Sequence, residues 1–213
     1  MTWEVVHRRE SASTFHARAV PSERTVWVCE ATGPALVLGS AQGDDVVDHD
    51  ACDRAGVEVV KRRSGGGAVL VVPADLLWVD VVVPATDPLW QVDVGRAFHW
   101  LGDVWQAALA ELGVTTRIHR GGLQRSRWSD LVCFAGRGPG EVLDEADKKV
   151  VGMSQRRTRE AARFQCAALA RWDPVALVDL LAVGDEAGEL ADVAAGVGVD
   201  LDTLLAAFVQ HLP

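Results

Sequence analysis

Val59-Val60-Lys61-Arg62-Arg63-Ser64-Gly65-Gly66-Gly67-Ala68-Val69-Leu70-Val71-Val72 is the stretch on which the reading of this chain turns. An apolar β-branched pair runs into three consecutive cations. A serine and three glycines follow, then a second apolar run. The order spells strand, tight loop, strand. Three glycines remove three Cβ atoms, so the backbone can take positive φ and lie close against a ligand. Successive N–H groups in such a loop form an anion-binding concavity, and Lys61, Arg62 and Arg63 put positive charge at its mouth. The chemistry this suits is a small carboxylate or phosphate resting on bare backbone. Two familiar phosphate loops are excluded. No G-x-x-x-x-G-K-[ST] string occurs, and Leu70 stands where a third glycine would complete G-x-G-x-x-G from Gly65. The valine-rich run after Ala68 also argues against a following helix. The bland alternative is a glycine-rich hairpin with a solvated basic flank.

Composition narrows the classes. A chain of 213 residues is one domain, or one domain with a small appendage. Its 49% hydrophobic content is ample for a core, and its net charge of −9 excludes general nucleic-acid binding, which favours a basic face. No apolar run reaches the ~18 residues of a membrane span, and the first ten residues lack the apolar core of a signal peptide. The expected location is cytoplasmic, with no membrane partner. Cys29, Cys52, Cys133 and Cys166 include no C-x-x-C pair, which predicts free thiols in a reducing compartment. No two histidines have metal-ligand spacing. Lysine occurs only at positions 61, 148 and 149, against 18 arginines. A chain that writes its other cations as Arg keeps Lys where a compact, tunable ammonium is useful.

Working outward from the glycine stretch, residues 25–29 and 35–38 are β-type runs broken by Thr32-Gly33-Pro34, which predicts a hairpin. Residues 45–55 predict a short helix capped by Asp44 or Asp45 and stopped by Gly56. Residues 75–83 predict a strand buried on both faces. Residues 92–112 predict the clearest helix: Phe98, Leu101, Trp105, Ala108 and Leu112 recur at helical spacing, Asp93 caps and Gly113 stops. Short strands are expected over 114–118 and over 131–135, the second holding Cys133. Val142-Leu143 leads to the string Lys148 to Arg157, and 164–169 is again strand-like. The tail predicts helices over 174–183, 187–195 and 201–212, with Asp173-Pro174 as cap and first helical residue. Strands dominate the first two thirds and helices the end. That order predicts α+β with a mixed, largely antiparallel central sheet flanked by helices.

Four strings, in order, resemble one family. Lys61 to Val69 resembles the R-R-x-S-G-G-G-A-V loop of lipoate–protein ligases, and Lys149-Val150-Val151-Gly152-Met153-Ser154-Gln155-Arg156 resembles their K-x-x-G-S-A-x-R segment. Ser129-Asp130-Leu131-Val132 is similar to the N-D-L-V that follows the family's long helix. Ala35 to Gln42 is similar to its strand ending in G-x-x-Q. The resemblance spans roughly residues 30–173. It implies the biotin/lipoate ligase catalytic fold over 1–173, with 174–213 as a helical C-terminal extension packed on the same domain.

The resemblance also implies roles. Ser64, Gly65, Gly66, Gly67 and Ala68 would lie along an acyl substrate with Gly152 and Ser154, and Arg62 would help hold the dithiolane end or the adenylate. Lys149 would sit between the acyl carbonyl and the α-phosphate of ATP. Asp130 would support Mg²⁺ with the nucleotide. The activity implied is attachment of a lipoyl or octanoyl group to a lysine of a lipoyl-domain protein, a 2-oxoacid dehydrogenase E2 or a glycine cleavage H-type protein, through an acyl-adenylate. The string departs from the family in two places: Phe164-Gln165-Cys166-Ala167 replaces the usual His-Gly-Thr, and Val71-Val72-Pro73 replaces a His-Asp. Cys133, sixteen positions before Lys149, resembles the cysteine of single-domain octanoyltransferases of the same superfamily. Those take octanoate from acyl carrier protein through a thioester without ATP. A ligase of this length would take its accessory domain from a separate chain. A non-catalytic acyl- or lipoyl-binding module is the remaining alternative, and biotin the remaining acyl group.

Overall fold

The computed structural model describes residues 2–184 and 187–213. Ten strands form two sheets. In chain order they are β1 (Glu4–Glu10), β2 (Thr25–Ala31), β3 (Ala35–Leu38), β4 (Glu58–Lys61), β5 (Val69–Val71), β6 (Leu76–Pro84), β7 (Arg117–Ile118), β8 (Val142–Leu143), β9 (Lys149–Arg157) and β10 (Ala161–Leu169). The large sheet runs β1-β2-β6-β10-β9-β8-β7 and the small one β4-β3-β5. Only β1–β2 and β3–β4 are parallel pairs. The class is α+β, with a mixed, largely antiparallel sheet. The helices are α1 (Ala12–Ala17), α2 (His49–Ala55), α3 (His99–Glu111), α4 (Pro174–Val178), α5 (Ala187–Leu190) and α6 (Leu201–Gln210).

The layers follow from side-chain alternation. β6 lies third in the large sheet, and eight of its nine residues are buried, as its uninterrupted apolar run predicts. Leu77, Val79, Val81 and Val83 face α3 and α6, where the tilted rings of Trp105 and Phe208 have centroids 4.1 Å apart. Leu76 and Trp78 face the small sheet, joining Phe15, Val37, Val71 and Phe134. The other side of the small sheet is covered by α2 and α4 through Leu36, Cys52, Leu177 and Leu181. One charged pair interrupts the core. Arg163 on β10 donates through Nε to Asp80 on β6 (2.7 Å) and through Nη2 to the carbonyl of Phe15 (2.9 Å), which anchors α1. Trp78 donates to the other Asp80 oxygen at 2.8 Å.

Several expectations need correction. Residues 25–38 are not a hairpin: both edges of β2 are taken by β1 and β6, so the chain leaves the sheet and starts the second one with β3. The glycine stretch is strand, loop, strand as expected, but not the hairpin of the bland alternative. β4 and β5 pair with opposite edges of β3, and the loop between them crosses the end of β3. Residues 131–135 do not form a strand. Val132 makes one bridge to Ala68, and Cys133–Ala135 turn as a 3-10 helix that tucks Phe134 against Trp172. The cap of α2 is Asp48, whose carboxylate accepts from Ala51 N–H, while Asp44 and Asp45 belong to a preceding 3-10 turn. The helix expected from 92 begins at His99, after a turn in which Asp93 accepts from Arg96 N–H. The tail helices are shorter than expected, although Asp173 does cap α4 with Pro174 first. β1 and α1 were not anticipated.

Candidate active site

The site lies between the two sheets, and its roof is the glycine loop. Gly39 ends β3 beneath that loop, and a Cβ there would collide with the Gly66 carbonyl. Gly66 has φ of +100°, a conformation that disfavours any side chain. Ser40 N–H donates to Ser64 O at 2.9 Å, and Ala68 N–H and Cys133 N–H tie the far end to the 131–133 segment. Arg62 turns inward. Its guanidinium donates to the carbonyls of Val37, Gly65 and Gly67 at 2.8–3.1 Å, so it braces the loop from below. Its Nε is buried and has no partner among the described residues. Lys61 donates to the carbonyl of Gln42, and Arg63 stays exposed. Gln42 staples two elements: its amide oxygen accepts from Gly39 N–H, and its nitrogen donates to the carbonyls of Asp130 and Leu131.

Two spaces meet under this roof. A groove of about 690 Å³ is lined by Gly65, Gly66, Gly67, Asp130, Glu141 and Lys149, among others. A narrow slot of about 60 Å³ runs inward past Val37, Val71, Leu76, Trp78 and Phe134. Cys133, Met153 and Ser154 line both. Lys149 opens β9 at this junction. Its side chain is 2% exposed, and its ammonium lies 2.7 Å from Glu141 Oε2, 2.9 Å from the Cys133 carbonyl oxygen and 5.3 Å from the centre of the Phe134 ring. Lys148 precedes the strand and pairs with Asp192 at the surface. Gly152 leaves room for Phe134, whose ring atoms would meet a Cβ there at 3.0–3.4 Å.

Ser64, Ser154, Gln165 and His16 form a chain of hydrogen bonds along one wall of the slot. The Ser64 hydroxyl donates to Gln165 Oε1 (3.1 Å), and so accepts from Ser154 (3.0 Å). Gln165 Nε2 donates to His16 Nδ1 at 3.2 Å, which leaves the His16 proton on Nε2. Burial, followed by the charges of Arg163 and Arg62, lowers the His16 pKa to about 3, so its ring is neutral.

The sequence-predicted residues therefore fall into four places. Lys149, Gly65, Gly66 and Gly67 line the groove, and Cys133 and Ser154 line both it and the slot. Arg62, Ser64 and Gly152 line or brace the slot, while Ala68 sits behind it at the 131–133 segment. Asp130 stands on the outer rim, its carboxylate 84% exposed and 2.8 Å from Arg125. Sequence reasoning missed Glu141 and His16. An acid heading the apolar pair Val142-Leu143 was the available signal for Glu141; nothing local marks His16.

The lipoyl protein ligase A/B catalytic domain model matches residues 9–210. The chain belongs to that family. No curated protein sequence matches this member. Its fold is similar to that of several solved ligases. One is a bipartite lipoate protein ligase of Thermoplasma acidophilum, studied with its E2 lipoyl domain (18% identity, TM-score 0.73, 99% of this chain and 81% of that one). Another is a lipoate protein ligase of the same organism with bound lipoic acid (17%, TM-score 0.74, 99% and 84%). A third is a lipoate-protein ligase A bound with ATP (16%, TM-score 0.74, 99% and 84%). Among the described residues of this family member, no helix is long and apolar enough to cross a membrane.

Proposed function

We propose that this chain transfers a lipoyl or octanoyl group to a lysine of a lipoyl-domain protein by way of an acyl-adenylate. The observation that carries the reading is Lys149: a buried ammonium lining a wide groove that shares residues with a narrow apolar slot, under bare glycine backbone. The slot suits an unbranched acyl tail. The carboxylate end reaches the junction and the nucleotide fills the groove. A carboxylate oxygen then bonds to the α-phosphorus and pyrophosphate leaves. Lys149 between the two anions offsets their repulsion and the charge that builds in the transition state. In the second step the acceptor amine attacks the acyl carbonyl, AMP departs with the bonding pair, and the amine proton passes to solvent. Among the described residues there is no cluster of three metal-ligating side chains. Mg²⁺ would thus arrive on the nucleotide phosphates and take Asp130 as its protein carboxylate, a common arrangement for this ion. The Thermoplasma ligase studied with an E2 lipoyl domain supports an acceptor of that kind.

A second reading rests on Cys133. Its side chain lines both spaces, and its sulfur would lie 3.6 Å from a Cβ on Gly66. A thiolate there would accept octanoate from acyl carrier protein as a thioester and pass it to the acceptor without ATP.

The test incubates the protein with an apo lipoyl domain, giving lipoate with ATP and Mg²⁺ in one arm and octanoyl acyl carrier protein in the other, with product read by intact mass. ATP-dependent acylation retained by Cys133→Ser supports the adenylate. Acylation indifferent to ATP and lost in Cys133→Ser replaces it with the thioester. A ligase that needs a separate accessory chain would form lipoyl-AMP slowly but transfer from added lipoyl-AMP. Binding of lipoate without turnover in any arm would leave only an acyl-binding module.

A further inference from the structure

We propose that Glu141 is a positioning residue for Lys149, holding the ammonium so that one of its N–H groups is left for the occupant of the groove. The inference rests on Lys149 being the transfer cation. An ammonium has three donors and no acceptor. One goes to Glu141 Oε2 at 2.7 Å and one to the Cys133 carbonyl at 2.9 Å. The third remains at a side chain that lines the groove.

Glu141 is itself fixed before it meets the lysine. Gly138 N–H donates to Oε2 at 2.6 Å and Met153 N–H donates to Oε1 at 3.1 Å. Both carboxylate oxygens are thereby committed, and the residue is only 3% exposed. The backbone of Lys149 is pinned independently. Its N–H donates to Val193 O at 3.0 Å, and its carbonyl accepts from Ala195 N–H at 3.1 Å. Held at its backbone by the tail and at its tip by Glu141, the lysine has little freedom left. Stability does not explain the pair. The cost of desolvating two charges offsets much of their attraction, and apolar residues of like volume often do as well. Two charges kept on the floor of a groove are better explained by what they present to it. Glu141 touches no substrate in this scheme and acts only through Lys149.

The scarcity of lysine makes the test direct. With lysine only at 61, 148 and 149, protein labelled with ¹⁵N at Nζ gives at most three ammonium signals. The Lys149 signal is assigned by its absence in Lys149→Met. In wild type it should exchange slowly with water, because the ammonium is buried and bonded. In Glu141→Gln it should move or broaden away. The kcat for acyl transfer should fall about tenfold or more while the KM for the acyl substrate stays within about twofold, the pattern of a lost transition-state contact. Glu141→Asp, which keeps the charge on a shorter stem, should recover part of the kcat. An unmoved Lys149 signal in Glu141→Gln overturns the proposal, as does full kcat in that variant. If Glu141→Gln does not fold, Glu141→Asp carries the test: a displaced signal with reduced kcat supports the proposal, and wild-type values overturn it. A wild-type chain that transfers nothing in any arm overturns the functional reading instead, and the ammonium signals still decide whether Glu141 holds Lys149.

Discussion

Lys148 and Lys149 are neighbours in sequence and opposites in setting. Lys149→Ala should lower transfer by ~10²–10³, the usual cost of removing one such donor. It should also destabilise the protein by about 3–5 kcal/mol, because Glu141 is left buried and unpaired. Adding Glu141→Leu should restore much of the stability and none of the activity. Lys148→Ala removes only a surface pair with Asp192 and should leave stability and transfer near normal. Chemical denaturation and single-turnover mass measurements separate these outcomes, and equal loss of activity from both lysines would refute the assignment. His16 gives a second prediction. Its pKa falls from 6.5 to about 3 on folding, so the folded state binds fewer protons than the unfolded one. Its contribution is therefore complete above about pH 6.5 and is lost as pH falls toward 3, at a slope approaching about 1.4 kcal/mol per unit. His16→Gln should flatten the pH dependence of stability between pH 4 and 6.5; an unchanged slope would show that His16 is not the group responsible.

The glycine loop acts as an element, and its sequence made its chemistry legible while hiding its path. Ser64-Gly-Gly-Gly announced bare backbone, and the structure bends that backbone through φ of +100° at Gly66. Whether the flanking strands pair with each other or straddle a third depends on β3, which lies far back in the chain. Gly66→Val should abolish acyl-ligand binding while the fold persists, since a Cβ there would meet Arg62 Nη2 at 2.9 Å and a branched residue disfavours that φ. Wild-type lipoate affinity by calorimetry would exclude the loop as a binding element. The strand assigned to Leu131–Ala135 failed for the converse reason. Its apolar pattern is real, but it serves packing of Phe134 and Val132 beneath the loop, and periodicity cannot distinguish those uses over five residues. Between β6 and β10, the pair Asp80–Arg163 was invisible too, because 83 residues separate its halves. Asp80→Ala should destabilise by about 3–5 kcal/mol by stranding Arg163, whereas Asp80→Leu with Arg163→Met should cost far less. Urea midpoints measure both.

At the scale of the molecule, the α+β class and the flanking helices were legible because long uniform runs, such as β6 and the stripe of α3, speak for themselves. The partition into two sheets was not, since it is decided by which strand edges remain free after β1, β2 and β6 have paired. The same non-locality places the site: the groove draws its walls from residues 41 to 155. One contact reaches further still. Lys149 forms its bridge with Ala194 in the tail, through the backbone of residues 193 and 195. A chain emerging from the ribosome displays the glycine loop, the thiol and the lysine string well before that stretch of tail is free to fold. Until then the lysine has its neighbours in β8 and β9 but lacks the two backbone hydrogen bonds that residues 193 and 195 supply. The tail thus closes the lysine's backbone bonds last, after every recognisable motif has emerged.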